Sequence, residues 1–419
     1  MSVLRAALVG AACVFYVARA LASPVEGEAP VTAPLRNAMQ RVWEASPEVQ
    51  AARADVEAAN ARLRAASQPV YNPSLSLEAE NADVDRRTAG LSLPLDLSGK
   101  RRARTSQAEA EQRSREASYE LLRRDIASRW LKAWSSAALA ARQRELGEHR
   151  VSLMRRFDAL AAERLAVGDI SSPERDLAGL ALGEAQIQQA SLAGNEAMAR
   201  AALEAIAGDA VTPPPLPAGL PPASASIVPA ALDEQPELVK LRADEAGAQA
   251  GIAVARAARL PDPTVSLTGG RVNTGARTDQ VIGVSVSMPL PVLNSGRAEI
   301  DAAIAEAGAA AATLRARQLV TRASLRETQS RYDALLAAGN AFRAGRAAAF
   351  EDRAALLEKL WRAGEISTSD YLVQLKQNLD TALSALALES QAWQAWLDYL
   401  AAAGRLTDWL DGRTQEASP

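Results

Sequence analysis

Residues 167–171 read Val-Gly-Asp-Ile-Ser, and residues 363–367 repeat the pattern as Ala-Gly-Glu-Ile-Ser. Each pentapeptide follows a long stretch without proline, which begins at residue 100 in the first case and at residue 297 in the second. Glycine tolerates the left-handed backbone with which helices end, and serine caps the start of a following helix. The two pentapeptides therefore predict the tips of two helical hairpins.

The rest of the chain indicates that these tips belong to an internal duplication. Four more pairs of similar segments occur in the same order: 46–48 with 235–237, 72–77 with 262–267, 91–95 with 286–290, and 98–101 with 294–297. We predict a first repeat over 23–208, a second over 230–405 and a tail at 406–419. Between the repeats we predict a linker at 209–229, which six prolines within 212–222 make extended and stiff.

Apolar and polar residues alternate in two segments of each repeat, and we predict strands at about 72–82, 88–97, 262–272 and 279–290. In the first of these, Leu75 and Leu77 alternate with Ser76 and Glu78. Period-two runs of about ten residues are typical of transmembrane β-strands with one apolar and one polar face. A single hairpin of this kind also fits a soluble domain, but the repetition and the adjoining long helices favour the membrane interpretation.

The stretches 100–165 and 297–362 predict helices about 100 Å long, at 1.5 Å per residue. The helical hairpins built on them extend over about 100–208 and 296–403. Helices of this length need partners along their sides, and apolar residues at three–four spacing provide a coiled-coil seam. The seam residues are Ile300, Ile304, Ala307, Ala311 and Leu314 in one helix, and Leu372, Leu375, Leu379, Ala382, Leu386, Trp393, Trp396 and Leu400 in another.

The first 22 residues have the features of a secretory signal peptide. Residues 6–17 are almost entirely apolar, and Ala20-Leu21-Ala22 is the small-residue pattern that precedes a cleavage site. Cleavage near Ala22 predicts an exported protein whose mature chain has no cysteine, because Cys13 is the only one in the sequence. The alternative is lipidation of Cys13, although Gly10 stands where a lipobox normally has leucine.

Composition and charge argue against several functional classes. A net charge of -3 offers no basic surface for nucleic acid, so we predict no nucleic-acid partner. His149 is the only histidine and lies among charged residues on a predicted helix, which indicates a solvent-exposed residue. The sequence contains no recognisable nucleophile–base arrangement, phosphate-binding loop or set of transition-metal ligands. We therefore predict no enzymatic activity, no metal site and no cofactor.

Two repeats of a β-hairpin and a long helical hairpin with these tips resemble the TolC family of outer membrane factors, over essentially the whole mature chain. The phrases at 72–75, 80–81, 96–101 and 289–297 are most similar to the CzcC branch, whose members serve heavy-metal efflux by resistance-nodulation-division (RND) pumps. The resemblance implies a mainly helical α+β fold in which each protomer contributes four transmembrane strands to a shared twelve-stranded barrel. It also implies a homotrimer whose helical hairpins form a periplasmic α-barrel.

The resemblance further implies a location, partners and a function. The protein is expected in the outer membrane of a Gram-negative bacterium, in contact with outer membrane lipid, a periplasmic membrane fusion (adaptor) protein and an inner membrane RND pump. The expected function is a passive exit duct for heavy-metal cations of the cobalt, zinc and cadmium or the copper and silver class. One alternative is a duct for drugs, solvents or type I protein secretion. A periplasmic coiled-coil scaffold or adhesin without a pore is an alternative of a different class.

The same resemblance implies candidate site residues, because acidic side chains just after the second tip narrow the entrance of TolC-type channels. Asp370 matches one such position, and Val373 replaces the next acid of the family. Glu174 has the equivalent place in the first repeat, with Asp176 nearby. Alternatively, these acids only complement the dipoles of helix N-termini. The tip residues are expected to contact the adaptor protein: Gly168, Asp169, Ile170, Ser171, Gly364, Glu365, Ile366 and Ser367.

Overall fold

The computed structural model describes residues 32–81, 84–208, 211–224, 232–345 and 350–411. The predicted signal peptide with Cys13 lies outside these residues, as do parts of the predicted linker and tail. The first repeat contains α1 (Ala33–Ala45), α2 (Pro47–Ser67), β1 (Ser74–Asn81), β2 (Asp85–Pro94), α3 (Lys100–Ala166) and α4 (Ser172–Ala207). The second contains α5 (Pro236–Arg259), β3 (Thr264–Asn273), β4 (Thr278–Ser287), α6 (Arg297–Ala344), α7 (Phe350–Arg362), α8 (Thr368–Ala402) and α9 (Leu406–Asp411).

The four strands form one antiparallel sheet in the order β1-β2-β3-β4, so that the two repeats pair through β2 and β3. One face carries apolar rows, for example Leu75–Leu91–Leu267–Val284. The opposite face carries polar rows, for example Ser74–Ser92–Ser266–Ser285. The two-faced hairpins predicted from the alternation are therefore confirmed, and the register aligns the apolar positions of both repeats in common rows.

Prolines explain why the strands begin and end at other residues than predicted. β1 and β3 begin after Pro73 and Pro263, and β4 ends at Ser287, before Pro289 and Pro291. A proline has no N–H to donate to a neighbouring strand. β2 is displaced towards the hairpin turn, to Asp85–Pro94 instead of 88–97, because its register with β1 pairs Asn81 with Asp85.

An almost fully buried carboxylate joins the sheet to the helices. The Asp262 side chain, just before β3, is 4% exposed and accepts hydrogen bonds from the Tyr71 hydroxyl (2.6 Å) and the Lys100 ammonium (2.8 Å). Burial alone would raise the pKa of Asp262, but these donors hold its pKa below the usual range and the group stays charged. Because Lys100 begins α3, this ion pair ties a strand of the second repeat to the longest helix of the first.

The helices pack around α3, which contacts α2, α4, α5 and α8. The largest hydrophobic core lies along the middle of α3, where Trp130 and Leu131 are fully buried in one cluster with Trp396 and Tyr399 of α8. None of the described helices combines the length and the apolarity that crossing a lipid bilayer would require.

The C-terminal residues differ from the predicted tail. Residues 406–411 form the short helix α9, in which Leu406, Trp409 and Leu410 are buried in the core of α3 and α8. The tail was predicted because the repeat pattern ends at residue 405, and this prediction did not take the three apolar residues into account. Their burial keeps the segment folded.

Residues 211–224, here named the strap, have neither helix nor strand, as the prolines predicted. The strap lies across three helices and accepts a side-chain hydrogen bond from each. Its Pro214 carbonyl accepts from the Trp134 indole of α3 (2.8 Å), and its Gly219 carbonyl accepts from the Trp393 indole of α8 (3.0 Å). The Tyr332 hydroxyl of α6 donates to the Pro222 carbonyl. The linker is therefore packed against the helices throughout its described part.

The predicted continuous helix over 297–362 is wrong, because α6 ends at Ala344 and α7 begins at Phe350. Gly345 has an extended backbone (φ -77°, ψ 165°), and its N–H bonds back to Ala341 and Phe342. Glycine disfavours a helix interior, and the strap also packs against α6 just before this point.

The predicted apolar seam of α6 is displaced by one residue near its start. Ile304 is 47% exposed, whereas Ala303, Ala307 and Leu314 are buried. In α8, six of the eight predicted seam residues are buried and the other two, Leu372 and Leu386, are half-buried, which confirms that seam. The buried residues are Leu375, Leu379, Ala382, Trp393, Trp396 and Leu400.

Two adjacent glycines in β3 provide a test of the pairing between the repeats. A Cβ atom at Gly270 would lie 2.7 Å from Thr88 Cα and still closer to the Arg87 carbonyl oxygen, both in the backbone of β2. Gly270→Ala therefore has to separate β2 from β3, and we expect it to lower the free energy of unfolding by about 1–3 kcal/mol. The measurement is thermal unfolding of the purified protein, followed by far-UV circular dichroism.

The matched control is Gly269→Ala. Its nearest neighbour would be the Val281 carbonyl oxygen at 4.0 Å, so the change should leave the melting temperature unchanged or slightly raised. Equal melting temperatures for both variants would show that the close approach at Gly270 does not constrain the sheet.

Candidate functional site at the hairpin tips

Both helical hairpins turn with the same backbone geometry. Gly168 and Gly364 have left-handed backbones, with φ of 81° and 77°. The N–H of Asp169 donates to the Arg164 carbonyl at 2.9 Å, and the N–H of Glu365 donates to the Leu360 carbonyl at 3.0 Å. These bonds define a Schellman motif, which uses the glycine to satisfy the last carbonyls of α3 and α7. The glycine-based prediction of both tips is confirmed.

The helices that return from the tips begin with a serine and an acidic residue three positions later. The N–H and the hydroxyl of Ser171 each donate to the Glu174 carboxylate at 2.8 Å. In the second repeat, the Asp370 N–H donates to the Ser367 hydroxyl oxygen at 3.1 Å, and this hydroxyl donates to the Asp370 carboxylate at 2.7 Å. Both acids therefore stabilise helix N-termini, as the dipole argument expects.

The isoleucines of the two tips pack inwards. Ile170 and Ile366 are half-buried against an apolar cluster in which Phe157 of α3, Trp361 of α7 and Tyr371 of α8 contact one another. The ring centroids of this trio are 4.6–5.4 Å apart. Burial among these rings raises the pKa of the Tyr371 hydroxyl to about 12. The tip turns are therefore anchored on a shared aromatic cluster.

The first tip is bonded directly to the second. The Arg164 guanidinium, at the end of α3, donates to the Trp361 carbonyl at 3.3 Å and the Arg362 carbonyl at 3.1 Å. It also lies 4.8 Å from the centre of the Trp361 ring. These carbonyls belong to the last turn of α7, where a positive charge complements the helix dipole. Arg164 therefore caps a helix of the other repeat.

A second connection runs through Thr368, which is 2% exposed. The Trp361 indole donates to the Thr368 hydroxyl at 3.2 Å, and this hydroxyl also helps to lower the pKa of the Glu174 carboxylate. The backbone N–H of Ser171 contributes most to lowering the pKa of Glu174, followed by the Ser171 hydroxyl and then that of Thr368. Glu174 consequently carries a negative charge at neutral pH.

The structure brings the predicted site residues to one end of the molecule, at the starts of two neighbouring helices. Glu174 is half-buried, whereas Asp176 and Asp370 are exposed. The tip residues Asp169 and Glu365 are exposed as well. The end of the folded molecule that contains both tips therefore presents a group of carboxylates.

The residues that connect the tips, namely Arg164, Trp361 and Thr368, were not predicted from the sequence. Arg164 is visible in the sequence as a basic residue in the last turn of a helix, but its partners belong to the other repeat. Only the three-dimensional arrangement reveals them.

Among the described residues, no group of three or more His, Cys, Asp and Glu side chains is arranged to hold a metal ion. His149 is exposed on the surface of α3, as predicted from its charged neighbours.

Comparison with known proteins gives a match that covers most of the chain. A family model described as "Outer membrane efflux protein" matches residues 38–209 and 227–405. The cobalt-zinc-cadmium resistance protein CzcC of Cupriavidus metallidurans is 27% identical over 253 residues, which are 57% of this chain and 58% of CzcC. The aligned region thus spans little more than half the length of that relative.

Solved structures agree in fold over nearly the whole chain. A membrane protein from Pseudomonas aeruginosa has a TM-score of 0.74 at 19% identity and covers 91% of this chain and 97% of its own. A structure of CusC, in which conformational changes accompany folding and transmembrane channel formation, has a TM-score of 0.74 at 14% identity. The matched region covers 89% of this chain and 92% of the CusC chain. At these identities the likeness concerns the fold alone, and that fold is one of outer membrane channels.

The contact between the tips can be tested with Arg164→Gln. This change removes the positive charge and the two hydrogen bonds that the guanidinium donates to the Trp361 and Arg362 carbonyls. A charge-assisted hydrogen bond contributes about 1.5–3 kcal/mol. We expect amide hydrogen exchange in residues 363–367 to accelerate by roughly tenfold or more, as measured by mass spectrometry of the purified protein.

Arg362→Gln is the control, because the Arg362 side chain pairs with Glu358 on the same helix. In this variant, amide hydrogen exchange in residues 363–367 should stay within about twofold of the wild-type rate, since exposed ion pairs of this spacing contribute little to stability. Unchanged exchange in the Arg164 variant would mean that the two tips are not held together by this residue.

Proposed function

Since the chain belongs to the family of outer membrane efflux proteins, we propose that it is the outer membrane duct of a tripartite efflux system driven by an RND pump, and that its cargo is heavy-metal cations. The family match over both repeats is the observation that carries the proposal. Family and fold are those of a channel and not of an enzyme.

The metal cargo rests on the similarity to CzcC and on the short phrases of that branch. The sequence identity is 27%, and the matched region covers 58% of the length of CzcC. The cargo is therefore part of the proposal and not of the family assignment. The cobalt, zinc and cadmium class is therefore the first to test.

Two features support a homotrimer. The sheet has open edges at β1 and β4, and edge strands pair with other strands unless something covers them. The surface of α4 exposes an apolar stripe at helical spacing, formed by Leu177, Leu180, Ile187 and Met198. We propose that neighbouring copies cover both, so that twelve strands close a shared barrel and the helices form a periplasmic tunnel.

The carboxylates at the tips fit the entrance of this tunnel. Threefold symmetry would turn each of Glu174, Asp176 and Asp370 into three equivalent charges around one axis. A ring of negative charge raises the local concentration of cations. The capping bonds of Glu174 and Asp370 are compatible with this role, because a carboxylate that accepts hydrogen bonds is not neutralised by them.

The exposed tip turns are the proposed contact for a periplasmic adaptor protein. Asp169 and Glu365 project from equivalent places in the two repeats, and Val167 is 73% exposed beside the first. Six nearly equivalent turns in a trimer would present a repeated surface of mixed polar and apolar character. We further propose export through a signal peptide cleaved near Ala22.

The proposal is tested by expressing the chain, with its partner pump and adaptor, in a host that lacks its own efflux ducts. We expect a trimer in the outer membrane fraction that resists detergent and dissociates on boiling. We also expect restored growth in cobalt, zinc or cadmium salts. A soluble periplasmic monomer would contradict the channel, and resistance to organic drugs without metal resistance would contradict the cargo.

The roles of the entrance and the tips can be separated by two substitutions. Asp370→Asn removes a charge but keeps the size of the side chain, and we expect weaker block by multivalent cations in single-channel recordings. Glu365→Gln removes a charge on the turn, and we expect weaker adaptor binding with unchanged conductance. The reverse assignment, or no effect of Asp370→Asn on block, would remove the entrance role.

A further inference from the structure

The register of the central strand pair places two arginines directly opposite each other. Arg87 of β2 faces Arg271 of β3, and both side chains are exposed. Like charges at directly opposite positions of an antiparallel pair destabilise it unless an anion lies between them. The sequence separates these residues by most of a repeat, so only the paired sheet reveals the juxtaposition.

The two arginines lie on the apolar face of the sheet, immediately beyond its last apolar row. That row consists of Leu77, Ala89, Gly269 and Ile282, and the next row consists of Ala79, Arg87, Arg271 and Gln280. Consecutive rows on one face are about 7 Å apart along a strand. Ile282 is 81% exposed and Leu77 is 76% exposed, as expected for a surface that faces lipid acyl chains.

The position of the pair along the strands identifies the side of the membrane. All long helices leave the sheet at one end, beyond Pro94 and Ser287, whereas Arg87 and Arg271 lie near the hairpin turns at the other end. In the proposed function the helices are periplasmic, so the arginines lie at the level of the outer leaflet. The lipid of this leaflet in Gram-negative bacteria carries phosphate groups on its glucosamine headgroup.

The charges around the pair leave it basic. The Arg87 guanidinium donates two hydrogen bonds of 3.4 Å to the two carboxylate oxygens of Asp85, and its side chain is still 76% exposed. Arg271 has no carboxylate oxygen within 4.0 Å among the described residues. Asp279, on β4, is paired at 2.8 Å with Arg277 of the turn. Among the described residues, the two guanidinium groups therefore have one acid close by, Asp85.

We propose that Arg87 and Arg271 bind a phosphate group of the outer leaflet glycolipid, with Gln280 beside them as a further donor. Planar guanidinium groups donate paired hydrogen bonds to phosphate oxygens, and two of them on adjacent strands enclose one phosphate. The acyl chains of the same lipid then lie along the apolar rows towards the periplasm. The site rests on the proposed function, because it requires this face to contact lipid.

The test uses detergent-solubilised full-length trimers and measures binding of diphosphorylated lipid A by native mass spectrometry. A parallel titration uses lipid A from which both phosphates have been removed. We expect the wild type to prefer the phosphorylated lipid by roughly tenfold or more, from the strength of charge-assisted hydrogen bonds. The double variant Arg87→Gln/Arg271→Gln should lose this preference.

The matched control is the double variant Arg86→Gln/Arg277→Gln, which removes the same charge from the same two hairpins. Arg86 belongs to the opposite face of β2, and Arg277 lies in the turn with its own carboxylate. We expect the control to bind phosphorylated lipid A within about twofold of the wild type, because its charges lie away from the pair.

Three outcomes would overturn the proposal: equal binding of both lipids by the wild type, an equal loss in the control, or full competition by millimolar inorganic phosphate. The last would assign the site to free phosphate. Conductance and heat-sensitive trimer migration of each variant are measured in the same preparations. A wild-type protein without conductance or without a heat-sensitive trimer would contradict the proposed function. If both properties are present and the Arg87→Gln/Arg271→Gln variant binds lipid A as the wild type does, only the lipid site is contradicted.

Discussion

The pairing of β2 with β3 is the constraint on which the rest of the structure depends. It fixes the height of one repeat against the other, since a shift of one residue would turn every side chain to the wrong face. The helices α3 and α6 leave the sheet from left-handed glycines at equivalent places, Gly99 and Gly296. Because the two long stretches that follow are nearly equal in length, the tips arrive at the same level. The contacts of Arg164 with α7 are thus set by a strand register at the other end of the molecule.

The duplication is not symmetrical in its contacts. Arg164 and Leu360 occupy the same place in their Schellman motifs, yet only Arg164 can donate to the helix end of its neighbour. Each chain therefore contains one tip contact that the side chain of Leu360 cannot reproduce, because leucine has no hydrogen-bond donor. In a trimer the boundaries between tips would alternate between two kinds, one within a chain and one between chains.

Much of the fold could be predicted from the sequence, because its signals are local. Glycine and serine at fixed offsets mark the tips, alternation marks the strands, and the prolines that the strand prediction underused explain where the strands end. The break at Gly345 could not be predicted from that glycine alone, since Gly308 and Gly339 lie within α6 without ending it. The bonds of Arg164 and the opposition of Arg87 and Arg271 arise from register, which no single segment contains. The candidate acids were found by resemblance, and their capping bonds by geometry.

The strap also has a mechanical consequence. The strap accepts side-chain hydrogen bonds from Trp134 of α3, Tyr332 of α6 and Trp393 of α8. It also donates to α8 and α6, through the Gly219 N–H to Glu389 and through the Ser224 hydroxyl to Asp333. These three helices cannot separate at that level without breaking such bonds. In the proposed channel, a widening at the tips that keeps these bonds would be a tilt of the helices about the strap. The joint left between the two duplicated halves is therefore the point about which both would pivot.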